Sequence, residues 1–468
     1  MKNIIWWIRR DLRLKDNWSL RAAATQGAQV LPVFILDPRI LDSPRTGAKR
    51  LNFLLGGLNA LRSSLEKLGG KLIIRSGHPE QVLKILLEES GAEMIFAEAD
   101  TTPFARKRDE SIAKLLPIKY FGSPAIQPPG SILKSDGTPY TVFTPFSKAW
   151  KSQTAILEND TFLTREKLTF YTDITSEDVP PHSFAEGADS FVPGEDIALQ
   201  RLRYFLADDN SNIYSYADNR NRLDLDGTSR LSPYIRFGMV SPHYLAHLAV
   251  KTIENAPDNT AQKGAETWLN ELIWRDFYIH ILYHFPRVRK RNFRLENVRW
   301  ENNKDNFEAW CNAQTGYPVI DAAIRQLTQT GWMHNRARMI VASFLTKDLL
   351  IDWRWGEHFF MQHLIDGDPS SNNGGWQWTA GTGTDAAPYF RIFNPVTQAK
   401  KFDPFGNFVR KWIPELFSVP TEYIHSPWEL SLQQQKTIDV KIGETYPAPI
   451  IDHAWARERV LSVFAQAK

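Results

Sequence analysis

Five short apolar runs in the first 135 residues, separated by stretches of helical period, constrain this chain more than anything else in it. NIIWWI, VLPVFIL, KLIIRS, AEMIFAEA and IKYFG read as strands. Between them, KRLNFLLGGLNALRSSLEKLGG and PEQVLKILLEESG are amphipathic and stop at glycines, as helices often do. Strands that alternate with helices form a parallel sheet, and such a sheet is covered on both faces. Residues 1–135 are therefore predicted to be a doubly wound α/β domain. No GxGxxG follows the first strand, so an ordinary dinucleotide fold is not supported. Ligands on such sheets sit beyond the carboxyl ends of the strands, where Arg9, Arg10, Asp37 and Glu98 to Asp100 fall.

The pattern then changes twice. From Gly122 to about Pro193 the chain is rich in Pro, Ser, Thr and Asp, which reads as a connector, placed at 136–200, with YTVFTPFSKAW ordered inside it. From 201 to 468 the period is helical, with AETWLNELIWRDFYIHILYH the strongest helix and TGYPVIDAAIRQLTQTG stopped at Gly331. At 468 residues, two domains are expected, because one hydrophobic core rarely serves so long a chain. A net charge of +3 permits a local basic patch without demanding one. Cys311 is the only cysteine, which excludes an internal disulfide and favours a reducing compartment. Arg9 and Arg10 end the first apolar run too soon for a signal peptide, and no later run is long enough to span a membrane. A soluble, cytoplasmic monomer is the expectation.

Sixteen tryptophans are more than a plain core needs, and their placement is unusual. Between Gly331 and Pro395, Trp353, Trp355, Trp376 and Trp378 stand among Asp366, Asp368, Asn372 and Asn373, beside a helix carrying Arg336 and Arg338. Buried polar groups must find hydrogen bonds, so this mixture suits a large, flat, polar ring system better than a simple core. Upstream, DGTSRLSPYIRFG has hydroxyls and backbone N–H groups that suit a phosphate, although the same residues make an ordinary capped loop. WLNELIWRDFY sets Trp268, Glu271, Trp274, Arg275 and Tyr278 along one helical face, either as a pocket wall or as a half-exposed Arg–Glu pair. MHNRARM brings Asn335 and Met339 together at i, i+4. His280 and His284 share helical metal spacing but lack further ligands nearby, so no metal is expected. RVRKRNFR is a basic loop, solvated or part of a phosphate-contacting rim.

Taken together, these motifs resemble the photolyase and cryptochrome family, from WWIRRDLRLKDN to about Trp412, and most closely its class I cyclobutane pyrimidine dimer photolyases. The resemblance implies an antenna-binding domain over 1–135 and a helical FAD- and DNA-binding domain over 201–468. It implies FAD contacts from Tyr216, Thr228, Ser229, Arg230, Leu231, Ser232, Trp268, Arg275, Asp366, Gly367, Asp368 and Asn372. Glu271, Trp274, Asn335, Met339 and Trp378 would meet the damaged bases, and Arg220, Arg336 and Gln398 would hold the DNA. Trp376, Trp353 and Trp300 match the indoles that relay an electron to the flavin. The implied reaction is light-driven splitting of the dimer by electron transfer from reduced FAD to a flipped-out lesion.

Departures within the family narrow the reading. Photolyases of the (6-4) type carry His–His where this chain has His334–Asn335, and plant cryptochromes carry Asp at the position of Asn372. DASH-type members carry Tyr at the position of Trp378. A blue-light receptor without repair activity is the alternative, disfavoured by the intact lesion residues and the absence of a signalling tail. An NAD(P)H-dependent flavin oxidoreductase lacks its fingerprint. Folate-binding members carry Asn–Glu just before RARD, whereas Phe104–Ala105 in PFARKRD resembles the deazaflavin binders. The antenna implied is 8-hydroxy-5-deazaflavin rather than folate or a second flavin, lined by Arg9, Arg10, Asp37, Arg50 and Asp100.

Overall fold

The computed structural model describes residues 2–153, 168–183, 191–207, 212–388 and 390–467. They gather into two units that are discontinuous in sequence. One comprises Met1–Ala217, Thr228–Pro286 and Ile365–Ser370; the other comprises Asp218–Gly227, Arg287–Leu364 and Ser371–Lys468.

The first unit holds the predicted sheet. Strands β1 (Asn3–Ile8), β2 (Gln29–Leu36), β3 (Ile73–Ser76), β4 (Met94–Ala97) and β5 (Ile118–Tyr120) pair in the order β3-β2-β1-β4-β5, all parallel. Ile4 to Ile8 are buried on both sides of β1, as a covered parallel strand requires. Ile5, Trp7, Val33, Ile73 and Ile95 share one core with Val82, Leu83, Leu86 and Ile112 from the helices Pro79–Ser90 and Pro103–Ala113.

The proline-rich connector does more than link. Its Thr169–Phe170 forms a sixth strand, β6, parallel to the start of β2. Two residues are too few to leave a period in the sequence. Residues 154–167 and 184–190 of the same connector lie outside the described residues. Its ordered stretch forms the helix Phe143–Ser152, docked on the long helix Asn259–His284. Buried Asp276 fixes that docking by accepting from Trp150 Nε1 at 2.9 Å and from the backbone N–H groups of Ile126 and Gln127 at 3.0 and 2.9 Å.

The second unit is helical among its described residues. Pro318–Thr330 ends at Gly331, whose φ of +76° is the left-handed stop that glycine favours. Asn335–Ser343 runs on as a π-helix, Phe344–Asp348, followed by Trp353–His363. These helices share one core containing Trp310, Ile320, Phe344, Trp353, Phe360 and Trp376. No helix among the described residues is long and apolar enough to cross a membrane.

Candidate functional site

In the first unit, the 228–232 loop is held from behind. Arg201 donates to the carbonyls of Thr228 and Ser229 at 2.7 and 3.0 Å, leaving their hydroxyls out of the anchoring. Arg230 takes a left-handed φ of +51°, and its guanidinium lies 4.9 Å from the Phe191 ring centre. Leu231 is buried beneath the turn and Ser232 is exposed. Buried Tyr216 and Trp268 both pack on Phe205, with centroids 6.0 and 5.2 Å away, so Phe205 unites two residues that the sequence leaves apart.

The loop Asp366 to Asp368 is clamped by two arginines. Arg236 Nε donates to the Gly367 carbonyl at 2.8 Å, and Arg10 Nη2 donates to Asp368 at 2.9 Å. Asp368 also accepts from the Ser370 N–H at 2.9 Å. Arg236 escaped the sequence reading because nothing in SPYIRFG separates it from a surface arginine. Burial is the leading cause that pushes the Arg236 guanidinium down to about 9, with Arg10 adding to it, and Arg50 down to about 10. Arg275 is lowered by burial too, and its Nη2 is buried with no hydrogen-bond partner among the described residues. Cations largely withdrawn from water beside the Asp366–Asp368 loop fit an anionic ligand such as a diphosphate.

The residues proposed for the antenna divide. Arg9, Arg10 and Asp100 share one cluster: burial alone would raise the Asp100 carboxyl, but Arg10, Arg9 and Arg108 hold it below its ordinary value. Arg9 is paired with Asp109 at 2.6 Å. Burial dominates at Arg50, whose nearest countercharges are Asp366 and Asp368. Asp37 is taken by Arg39 at 2.8 Å and caps the short helix Pro38–Leu41.

Along Asn259–His284, Glu271 and Trp274 are both half-buried. Trp274 is stacked on Phe143, a partner from the connector that the sequence reading did not name.

In the second unit, Asn335 and Met339 meet as their spacing requires, with Nδ2 and Sδ 4.0 Å apart. His334 starts their helix: its Nδ1 accepts from the Arg336 N–H at 3.1 Å, so the ring proton sits on Nε2. Burial, aided by Arg336 and Arg338, pushes this imidazole down to about 4 and keeps it neutral. Arg336 reaches Asn221 Oδ1 at 3.1 Å and lies 4.5 Å over the Phe402 ring, which joins the Arg220–Asn221 loop to the helix Pro395–Phe402 that carries Gln398. The three candidate DNA-holding side chains thus lie on linked elements.

On the helix Pro369–Ala380, Asn372 Nδ2 donates to the Glu357 carbonyl at 2.9 Å, which assigns the amide orientation and turns Oδ1 away as an acceptor. Asn373 and Gln377 both donate to the Val288 carbonyl, at 3.0 and 2.9 Å, and tie down the basic loop that exposes Arg287, Lys290, Arg291 and Arg294. Trp378 is half-buried. Trp376 and Trp353 are buried, at 2% and 0% exposed, whereas Trp300 is only partly covered.

Two family models match the chain: "DNA photolyase" over residues 4–164 and "FAD binding domain of DNA photolyase" over 268–466. A deoxyribodipyrimidine photo-lyase of Synechococcus sp. is 39% identical, with 99% of this chain and 97% of that protein aligned. Among solved structures, a class III photolyase from Agrobacterium tumefaciens matches with a TM-score of 0.90 at 37% identity, covering 100% of this chain and 98% of that one. A Synechocystis cryptochrome matches at 0.89 and 30% identity, covering 99% of each chain. An archaeal photolyase from Sulfolobus tokodaii with two FAD molecules matches at 0.80 and 31% identity, covering 99% of this chain and 100% of that one. The half-buried arginine clamp around Gly367 and Asp368, the amide of Asn372 and the two buried indoles thus sit in a chain that aligns over 99% of its length with a deoxyribodipyrimidine photo-lyase, and it belongs to the photolyase and cryptochrome family.

Proposed function

We propose that this chain is a light-driven DNA-repair enzyme of the deoxyribodipyrimidine photo-lyase kind, acting on cyclobutane pyrimidine dimers and built like the class I members. The observation that carries this reading is the Asn335–Met339 pair, an amide and a thioether brought to 4.0 Å on one helical face. An amide offers a donor and an acceptor to a pyrimidine edge, and a thioether packs adaptably against it.

FAD is the cofactor of the matched binding domain, and its reduced form, when bound, supplies the light-excited electron that splits the dimer and then returns. The protein binds and positions. Thr228, Ser229, Arg230, Leu231 and Ser232 would meet the diphosphate, with Arg275, Asp366, Gly367 and Asp368 closing on the cofactor and Tyr216 and Trp268 packing beside it. Asn372 Oδ1 would accept from a reduced ring N–H, and an amide there cannot ionise. Enzymes that act on a base within a duplex, photolyases among them, draw it out of the stack into a pocket. Trp274 and Trp378 would stack on the extruded bases, and Glu271 and Asn335 would hydrogen-bond them as charge arrives. Arg220, Arg336 and Gln398, with the exposed arginines of the basic loop, would hold phosphates.

For reduction of the cofactor we propose a relay through Trp376, Trp353 and Trp300, supported by the burial of the first two and the partial exposure of the third. For the antenna we propose 8-hydroxy-5-deazaflavin, on the strength of Phe104–Ala105 and the Arg9, Arg10 and Asp100 cluster. The two-flavin archaeal relative favours a second flavin as the competing ligand. Extracting the native protein and identifying its bound chromophores separates these. Repair itself is tested by exposing dimer-containing DNA to the protein in darkness and in blue light. Loss of dimers only under light is expected, and no loss under light would favour a photoreceptor.

A further inference from the structure

The three indoles proposed as a relay are not in equivalent surroundings. Trp353 is fully buried, and its Nε1–H donates to Asn292 Oδ1 at 2.8 Å. Trp376 is just as deep, yet its Nε1–H has no acceptor among the described residues. It is packed edge-on by Phe360 and Trp310, with centroids 5.0 and 6.2 Å away, and lies across Gly356, where a Cβ would strike the ring. Asn292 is itself buried, and its orientation is not free: Nδ2 donates to the Leu295 carbonyl at 2.7 Å, which directs Oδ1 at the indole.

We propose that Asn292 is a positioning residue that gives the tryptophan relay its direction, by stabilising the oxidised state of Trp353 and not that of Trp376. The proposal rests on the relay reading and deepens it. Losing an electron turns an indole into a cation whose N–H is a far stronger donor. A hydrogen bond that was neutral becomes charge-assisted, roughly twice as strong, and a low-dielectric core enlarges the difference. Binding to the charged form favours that form. Trp376, walled by aromatic rings, gains no such hydrogen bond. When light has drawn an electron from Trp376, one electron therefore passes downhill from Trp353: Trp376 is restored and Trp353 carries the positive charge. No proton moves in this step. An amide oxygen accepts a hydrogen bond but is too weak a base to keep the proton, so the charge is not trapped and passes on when Trp300 gives up its own electron. A carbon in place of Oδ1 would leave the charge beside the cofactor, where it recombines.

The test uses the full-length, FAD-loaded protein and the variants Asn292→Leu, Asn292→Asp and Trp353→Phe. Leucine matches asparagine in shape but has no acceptor; aspartate keeps an oxygen there and loses the bond to Leu295. With an external thiol present, the rate of photoreduction and the flash yield of long-lived oxidised tryptophan are expected to fall at least fivefold, on the order of 1 kcal/mol, in Asn292→Leu and Trp353→Phe. In Asn292→Asp the yield of long-lived oxidised tryptophan should stay near wild type, although the carboxylate, a stronger base than the amide, can take the indole proton and hold the oxidised state at Trp353. In the dark, with tryptophan labelled in nitrogen-15, the Trp353 Nε1–H should exchange faster in Asn292→Leu but not in Asn292→Asp, where an acceptor remains. Dimer repair by chemically reduced enzyme should be the same in all. Equal loss in the leucine and aspartate variants would mean that Asn292 is only a staple for its loop, and overturns the proposal. So would a wild-type rate in Asn292→Leu while Trp353→Phe is slow, or a matching loss of repair. A wild-type rate in Trp353→Phe would instead sink the relay, and the proposal with it.

Discussion

Phe143 and Trp274 lie face to face, with ring centroids 3.6 Å apart and planes 2° from parallel. One face of Trp274 is therefore spent on the protein. An aromatic pair of this kind contributes about 1 kcal/mol beyond buried area. Phe143→Ala should let the indole swing and weaken binding of dimer-containing DNA by roughly fivefold. Flavin content should not change. Binding titrations with an oligonucleotide carrying one dimer would show it, and unchanged affinity would mean that Trp274 is held by its own helix alone.

Glu271 shares its helix with Trp274, one turn earlier, and is half-buried. A hydrogen bond to a charged group is worth about 1.5–3 kcal/mol. Glu271→Ala should therefore lower dimer affinity and the quantum yield of splitting by roughly tenfold or more. The absorbance of bound FAD should be retained. Normal repair at saturating DNA would remove Glu271 from the mechanism.

Trp376→Phe should nearly abolish light-driven reduction of oxidised FAD while leaving repair by dithionite-reduced enzyme intact, because in repair the electron starts on the flavin. Gly356→Ala approaches the same ring from another side. The added Cβ would run into the Trp376 six-membered ring, so photoreduction should slow and the melting temperature should fall. Flavin absorbance and dimer absorbance, followed in one cuvette, report both. Photoreduction of Trp376→Phe at the wild-type rate would mean that the electron enters by another route.

Lys347 gives a pH dependence of stability. It is 1% exposed, donates from Nζ to the Ala380 carbonyl at 2.7 Å, and sits 3.7 Å from the centre of the Phe464 ring. Nearby Asp348 is occupied by His453 and Arg459, so it does not serve as the countercharge. Burial pushes the Lys347 ammonium down to about 7, although the ring face works in the opposite sense. Between about pH 7 and the ordinary lysine value near 10.4, the unfolded chain holds a proton that the folded chain has released. Stability should climb with pH across that window, by at most about 1.4 kcal/mol per pH unit from this group. Lys347→Met should flatten the slope, whatever offset it adds. Parallel slopes in denaturant melts at pH 7 and pH 10 would show that Lys347 stays charged when folded.

Much of this arrangement is written locally. The five strands of the sheet announce themselves by apolar runs between helical stretches, and Gly331 by its place after TQT. Asn335 and Met339 meet because four residues on a helix always return to one face. What stayed hidden depends on partners distant in sequence. Phe143 reaches Trp274 across 131 residues, and Arg236 reaches Gly367 across 131 as well. Neither residue type is unusual where it stands, so no pattern marks them. Asp37 shows the converse: it lies at a strand end, as a ligand residue would, but Arg39 two positions on captures it.

Arg10 follows the first strand, and its partner Asp368 accepts from the Ser370 N–H in the first turn of the helix carrying Asn372, Trp376 and Trp378. A fragment starting at residue 201 would keep every proposed flavin contact and yet fail. Asp368 would lose its cation, and Gly238, whose backbone lies against Arg10 with no room for a Cβ, would lose the surface it is shaped to meet. Halves of this chain cannot be traded between relatives at the point where the composition changes, because the ion pair that steadies the Asp366–Asp368 loop is made by residues 358 positions apart.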